Sequence, residues 1–136
     1  MKVVWCAWAG IVFRQTDSLF TSQRHAQNEN QNLQLRVGII GFGNLGGALA
    51  ARLNCLGLKA AVYDRNIDKI QKAAYDGNVA ATSESDLAEK SDVVFIAVKP
   101  CDVMEVFEKI KSHMAGKKAI SAAAGVSIAA IEGKVG

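Results

Sequence analysis

Three glycines, Gly41, Gly43 and Gly46, stand where an apolar run, Val37-Gly38-Ile39-Ile40, gives way to a helical pattern. The spacing Gly41-Phe42-Gly43-Asn44-Leu45-Gly46 suits one kind of chemistry, the gripping of a diphosphate by main-chain amides. Gly41 makes the tight exit from a strand. Gly43, lacking a Cβ, lets backbone N–H groups approach the anion, and Gly46 lets the following helix press on the strand. The start of that helix adds about half a positive charge facing the same ligand.

A second candidate lies further along. Asp64 ends the stretch Lys59-Ala60-Ala61-Val62-Tyr63, about 20 residues past the glycines, where dinucleotide folds read the ribose hydroxyls. That acid favours NAD. Arg65 follows directly, and a guanidinium there could hold the 2′-phosphate of NADP. The two residues point to different cofactors, so NADP and NAD both stay open.

The elements that must position these residues are legible from periodicity. Leu45, Ala48, Leu49, Leu53 and Leu56 recur at helical spacing, with Gly57 as the stop. Ile67 to Tyr75 reads as a second helix, Val79 to Ala81 as a short strand and Asp86 to Lys90 as a small helix. Asp92-Val93-Val94-Phe95-Ile96-Ala97-Val98 is apolar without alternation, the pattern of a strand covered on both faces. It must stop at Lys99-Pro100, because proline donates nothing to a ladder. An amphipathic helix follows, with Val103, Val106, Phe107, Ile110 and Met114 on one face as sheet-packing core. Lys118 to Ser121 is a further strand, then comes Ala122-Ala123-Ala124-Gly125, and a last helix runs from Ser127 to about Lys134. Alternating strands and helices with short connections imply an α/β fold, a doubly wound, Rossmann-type parallel sheet. Ligands of such sheets sit beyond the carboxyl ends of the strands. The glycine turn, Asp64-Arg65, Ala97-Val98-Lys99-Pro100 and Ala123-Ala124-Gly125 are therefore expected along one edge.

Composition narrows the function classes. A chain of 136 residues, half of them apolar and 21% charged, makes one globular domain. A net charge of +3, with no basic run interleaved with aromatics, argues against nucleic acid. Cys6, Cys55 and Cys101 are too widely spaced for a disulfide framework or a zinc cluster, and His25 and His113 lack ligand-spaced partners. No metal is expected, and a reducing, cytoplasmic setting fits best. Residues 1–35 differ from the rest. Val3 to Phe13 is nearly all apolar yet too short to span a bilayer, so no membrane partner is expected. Arg14 and Arg24 leave organellar targeting open. Thr21 to Gln34 is rich in Gln and Asn and reads as a linker without a packed core, so residues 1–35 are expected to form a poorly ordered extension, with the domain at residues 36–136.

From Arg36 onward the chain resembles the N-terminal, NAD(P)-binding domain of the pyrroline-5-carboxylate reductase family. The resemblance rests on Gly38-Ile39-Ile40-Gly41-Phe42-Gly43-Asn44-Leu45, on Asp92 to Pro100, and on Ser121-Ala122-Ala123-Ala124-Gly125-Val126-Ser127-Ile128 with Ile131-Glu132 behind it. It implies hydride transfer from NAD(P)H to the C=N carbon of 1-pyrroline-5-carboxylate, giving L-proline, with Ala97 to Pro100 and Ala123 to Gly125 near the nicotinamide. No catalytic side chain is assigned, since the protein mainly positions cofactor and imine; Lys99 is the charged residue nearest the expected transfer site. The family continues into a helical second domain that supplies the dimer interface and most of the substrate pocket, expected to be absent here, so oligomeric state is left open. Glu84 stands where the family often has asparagine, and Asp64 where it has a small or polar residue. Two alternatives are a non-catalytic NAD(P)-binding module and a β-hydroxyacid dehydrogenase-like reductase, the latter suggested by Tyr63-Asp64-Arg65-Asn66.

Overall fold

The computed structural model describes residues 2–5 and 34–135 of the chain. Eleven elements follow one another: β1 (Lys2–Trp5), β2 (Val37–Ile40), α1 (Asn44–Cys55), β3 (Ala61–Tyr63), α2 (Ile67–Tyr75), β4 (Val79–Ala80), α3 (Glu84–Lys90), β5 (Val93–Ile96), α4 (Val103–Ile110), β6 (Lys118–Ser121) and α5 (Ile128–Val135). The strands form one sheet in the order β1-β6-β5-β2-β3-β4, and every pairing is parallel. The chain runs outward from β2 through β3 to β4 and then returns to β5 on the other side of β2. That reversal of strand order opens a crevice at the carboxyl ends of β2 and its neighbours.

Register places the candidate residues. Ile40 lies opposite both Tyr63 and Ile96, and Ile96 opposite Ser121. Four strands therefore end in one row. The residues after them, Gly41, Asp64, Ala97 and Ala122, share a single edge.

Side-chain alternation splits the core into two layers. Ile39 faces α1 and α2, in a cluster with Phe42, Ala50, Val62 and Ala73, whereas Ile40 faces the layer built by Leu87, Val106, Phe107, Ile110, Met114 and Ile131. Helices thus cover both faces of the sheet, and β2 is buried along its whole length. All five apolar residues read as the stripe of the fourth helix are buried.

Several expectations are corrected. Of the residues that recur at helical spacing after the glycine turn, Leu45 and Leu56 are more than half exposed. Contact between Gly46 and the turn sets the helix rotation, which directs Ala50, one turn later, into the core with Leu49 and Leu53 at its margin. The expected strand from Asp92 to Val98 covers only Val93–Ile96, with Val94 and Ile96 buried and Val93 and Phe95 half-buried. On that face α1 and α2 pack over β2 and β3, leaving β5 less completely covered. A strand not assigned from sequence, Lys2–Trp5, extends the sheet beside β6. The linker, the remainder of the first apolar stretch, Cys6 and His25 lie outside the described residues. No helix among the described residues is long and apolar enough to cross a membrane.

Arg36 pins β2 to β5. Its backbone N–H and Nε donate to one Asp92 oxygen at 3.0 and 3.2 Å, and its NH2 donates to the other at 2.7 Å. These hydrogen bonds, with the guanidinium charge adding to them, hold the Asp92 carboxyl below its ordinary value. A folded-state pKa that is depressed contributes stability above the ordinary carboxylate range and loses it as pH falls through the folded value. Asp92→Asn is therefore expected to be less stable than the parent chain at neutral pH, with the gap in denaturation midpoint closing in acid; a gap independent of pH would contradict this. Two neighbouring glycines give a second test. A Cβ at Gly46 would collide with the Gly41 carbonyl oxygen, whereas one at Gly47 meets nothing within 4 Å. Gly46→Ala should cost about 1–3 kcal/mol by overpacking, and Gly47→Ala should stabilise by roughly 0.5–1 kcal/mol through helix propensity. Urea unfolding of both variants checks the contrast, which equal midpoints would refute.

Candidate functional site

The site begins with a backbone that only glycine tolerates. Gly41 has φ +97°, donates its N–H to Tyr63 O at 2.8 Å, and a Cβ there would stand 2.5 Å from Ala97 O. The turn is thereby tied to the ends of β3 and β5. The Phe42 side chain enters the α1–α2 core, and its N–H donates to Asp64 Oδ2 at 2.7 Å. Asp64 Oδ1 accepts from Asn66 N at 2.8 Å, and Asn66 in turn caps α2 through Asp68 N at 2.9 Å. One carboxylate therefore links the glycine turn to the start of α2.

Two of the six amides from Gly41 to Gly46 are spent in this way. The N–H groups of Gly43, Asn44, Leu45 and Gly46 have no acceptor among the described residues. No side chain caps α1, and the space where a Cβ of Gly43 would sit is open to 4 Å. A helix start with unpaired amides and the positive end of a macrodipole is an anion site. A diphosphate fits the observed donors and the open approach over Gly43.

The first of these residues, Gly43, borders a cleft of about 310 Å³, which Gly41, Asp64, Arg65, Ala97, Val98 and Lys99 also line. Seven predicted residues from three separate strand ends thus meet in one place. Other candidates fall elsewhere. Asn44 and Leu45 are exposed on α1, Gly46 is buried in the helix–turn contact, and the Phe42 ring is core. Pro100 starts a 3₁₀ turn through Asp102 and is exposed. Ala123, Ala124 and Gly125 follow β6 on the same edge but do not line the cleft; Ala123 packs in the core, and Ala124 and Gly125 are exposed.

Tyr63, Lys69, Glu84 and Asp102 also line the cleft, and sequence reasoning assigned none of them a ligand role. Lys69 follows Arg65 by four residues across a helix start, a spacing that could have flagged it. Glu84 stands out in the sequence only as a departure from a family pattern. Its carboxylate is buried and accepts from Lys109 Nζ at 3.0 Å.

The charges form a chain around the cleft. Arg65 NH2 donates to Glu105 Oε2 at 2.8 Å and its NH1 approaches Asp102 Oδ1 at 3.4 Å. Lys109 bridges Glu105 Oε1 at 2.9 Å and Glu84. The hydrogen bond to Glu105, then the charges of Glu105 and Asp102, push Arg65 above its already high value. Lys109 first and Arg65 second draw the Glu105 carboxyl down, while Glu105 and Glu84 raise Lys109.

A family model described as NADP oxidoreductase, coenzyme F420-dependent, matches residues 36–125. Pyrroline-5-carboxylate reductase of Aquifex aeolicus is 40% identical over 105 residues, covering 74% of this chain and 38% of that protein. A pyrroline-5-carboxylate reductase structure from Coxiella burnetii superposes with TM-score 0.71 at 28% identity, covering 76% of this chain and 40% of the other. That of the Plasmodium falciparum enzyme, with NADP bound, gives TM-score 0.60 at 25% identity, over 75% and 38% of the two chains. The chain thus spans about two fifths of the length of these relatives.

The Asp64 bridge can be tested without any ligand. Asp64→Ala leaves the Phe42 N–H without its acceptor and should cost about 1–3 kcal/mol, with faster amide exchange at Phe42. Unchanged stability and exchange would show that the bridge contributes nothing.

Proposed function

The chain belongs to the NADP oxidoreductase, coenzyme F420-dependent, family, and from that membership we propose that it is the cofactor-binding part of a pyrroline-5-carboxylate reductase-type enzyme. The observation that carries this reading is the run of open amides from Gly43 to Gly46, which begins at Gly43 on the lining of a cleft that three strand ends share. NAD(P)H supplies a hydride when bound. The protein's own contribution is positional. Amides at the start of α1 hold the diphosphate, Asp64 and Arg65 flank the adenosine ribose, and Ala97 to Lys99 form the wall along which the nicotinamide end lies. Ala123 to Gly125, on the same edge beyond that wall, belong to the nicotinamide end as well.

The acceptor is a small cyclic imine, 1-pyrroline-5-carboxylate, reduced to L-proline. A protonated C=N carbon is already electrophilic, so placing it against the cofactor supplies most of what the reaction needs. No side chain of the cleft is assigned acid–base work, and Lys99 acts through its backbone at the strand end. The imine is held together with a helical domain of the kind the family carries, which completes the pocket. The setting is cytoplasmic, a reading supported by the exposed free thiols of Cys55 and Cys101.

A second reading, a module that binds the dinucleotide without turnover, is motivated by a cleft whose charged side chains pair with one another, Arg65 with Glu105 and Asp102 and Lys69 with Asp64. Fluorescence titration with NADPH and NADH tests the shared premise: binding with micromolar affinity is expected, and absence of binding by either would sink both readings. Adding the helical domain of a full-length relative then separates them. Imine-dependent oxidation of NADPH supports the reductase, and cofactor binding without turnover supports the module.

A further inference from the structure

Arg65 is the guanidinium that lines the cleft among the described residues, and two of its five donors have partners, one on Glu105 and one on Asp102. Glu105 and Asp102, at the start of α4 and just before it, draw the side chain across from the end of β3. Asp64, beside it, has both oxygens accepting from main-chain amides, one holding the glycine turn and the other the start of α2. An acid with a structural duty on each oxygen is poorly placed to select a free ribose hydroxyl. Discrimination between a ribose that carries a 2′-phosphate and one that does not then passes to the cations, Arg65 with Lys69 nearby.

We propose that Glu105 is a specificity-determining residue: it competes with the 2′-phosphate for the Arg65 guanidinium, and so limits how strongly the chain prefers NADPH to NADH. The proposal rests on the dinucleotide reading above and adds to it a residue outside the cleft lining. Three features of the geometry carry it. Glu105 makes the shorter of the two contacts to Arg65, at 2.8 Å against 3.4 Å for Asp102. Both partners are half exposed, with side-chain exposures of 52% and 53%, so the pair is weak enough to exchange for a dianion. Lys109 holds the other Glu105 oxygen at 2.9 Å and is itself anchored on buried Glu84, so the carboxylate keeps its place after Arg65 leaves. The acid is a fixed competitor, and the arginine is the moving part.

Competition fixes the sign of the effect. A site whose binding arrangement is only partly populated binds its ligand more weakly by that fraction, and removing the competing contact restores the difference. Exposed ion pairs of this kind correspond to about a twofold to fivefold change in an equilibrium. NADH, without the 2′-phosphate, never calls on Arg65 in this way.

The test is a double-mutant cycle on the whole chain, read as NADPH and NADH dissociation constants at one fixed ionic strength, with thermal unfolding confirming that each variant is folded. Glu105→Gln is expected to bind NADPH about two to five times more tightly while NADH affinity stays put. In an Arg65→Ala background the same substitution should do nothing to the NADPH-to-NADH ratio. Tighter binding of both cofactors to the same degree would mean a general charge effect and overturn the proposal, as would an unchanged or weakened NADPH affinity. Should the parent chain bind neither cofactor, the dinucleotide reading itself fails, an outcome distinct from binding with an unaltered ratio.

Discussion

The structure depends on one close approach of backbone to backbone. Gly46, on the first turn of α1, sits so near the Gly41 carbonyl that no side chain could stand between them. This contact sets both the angle at which α1 leaves the sheet and its rotation about its own axis. Ala50 therefore enters the core, Leu45 turns outward, and the run of unpaired amides at the helix start begins at Gly43 on the crevice beside β2. Gly41 supplies the other half of the constraint, because its left-handed backbone lets the strand end fold over Ala97 without a clash.

Around that contact the polar groups divide their duties. Asp64 is the residue that a dinucleotide pattern marks for ligand recognition, yet it is a structural tie between turn and helix. Arg65, next in sequence, points the other way and is held by carboxylates on the opposite wall. A cleft suited to an anionic ligand thus has its own acids close to its cations. Such a balance avoids an unpaired charge cluster, and it makes the choice of ligand sensitive to residues beyond the lining.

The fold was legible in this sequence because its signals are local and mutually consistent. The helix from Ile67 to Tyr75 appears with the boundaries its periodicity implied, and the apolar stripe from Val103 to Met114 is buried in full. The reading weakened where a neighbour decides. Leu45 and Leu56 fit a helical stripe but lie outside the contact patch, since rotation of α1 follows from Gly46 and the stripe alone leaves it undetermined. Lys2–Trp5 gave no alternating pattern, and its partner, β6, lies more than a hundred residues later in the chain.

The candidate site divides in the same way. Sequence by itself determined that a glycine turn joins a buried strand to a helix, that an acid and a base follow the next strand, and that Ala97 to Lys99 close another, because each is a short-range pattern imposed by backbone geometry. Only the tertiary structure decided which of these residues share a cleft, that Lys69, Glu84 and Asp102 join them, and that Asp64 serves the turn while Arg65 is drawn to Glu105. Hydrogen-bond partners are chosen by distances between segments 20 to 40 residues apart. Strand register and helix rotation set those distances, and neither is written in the spacing of any one motif.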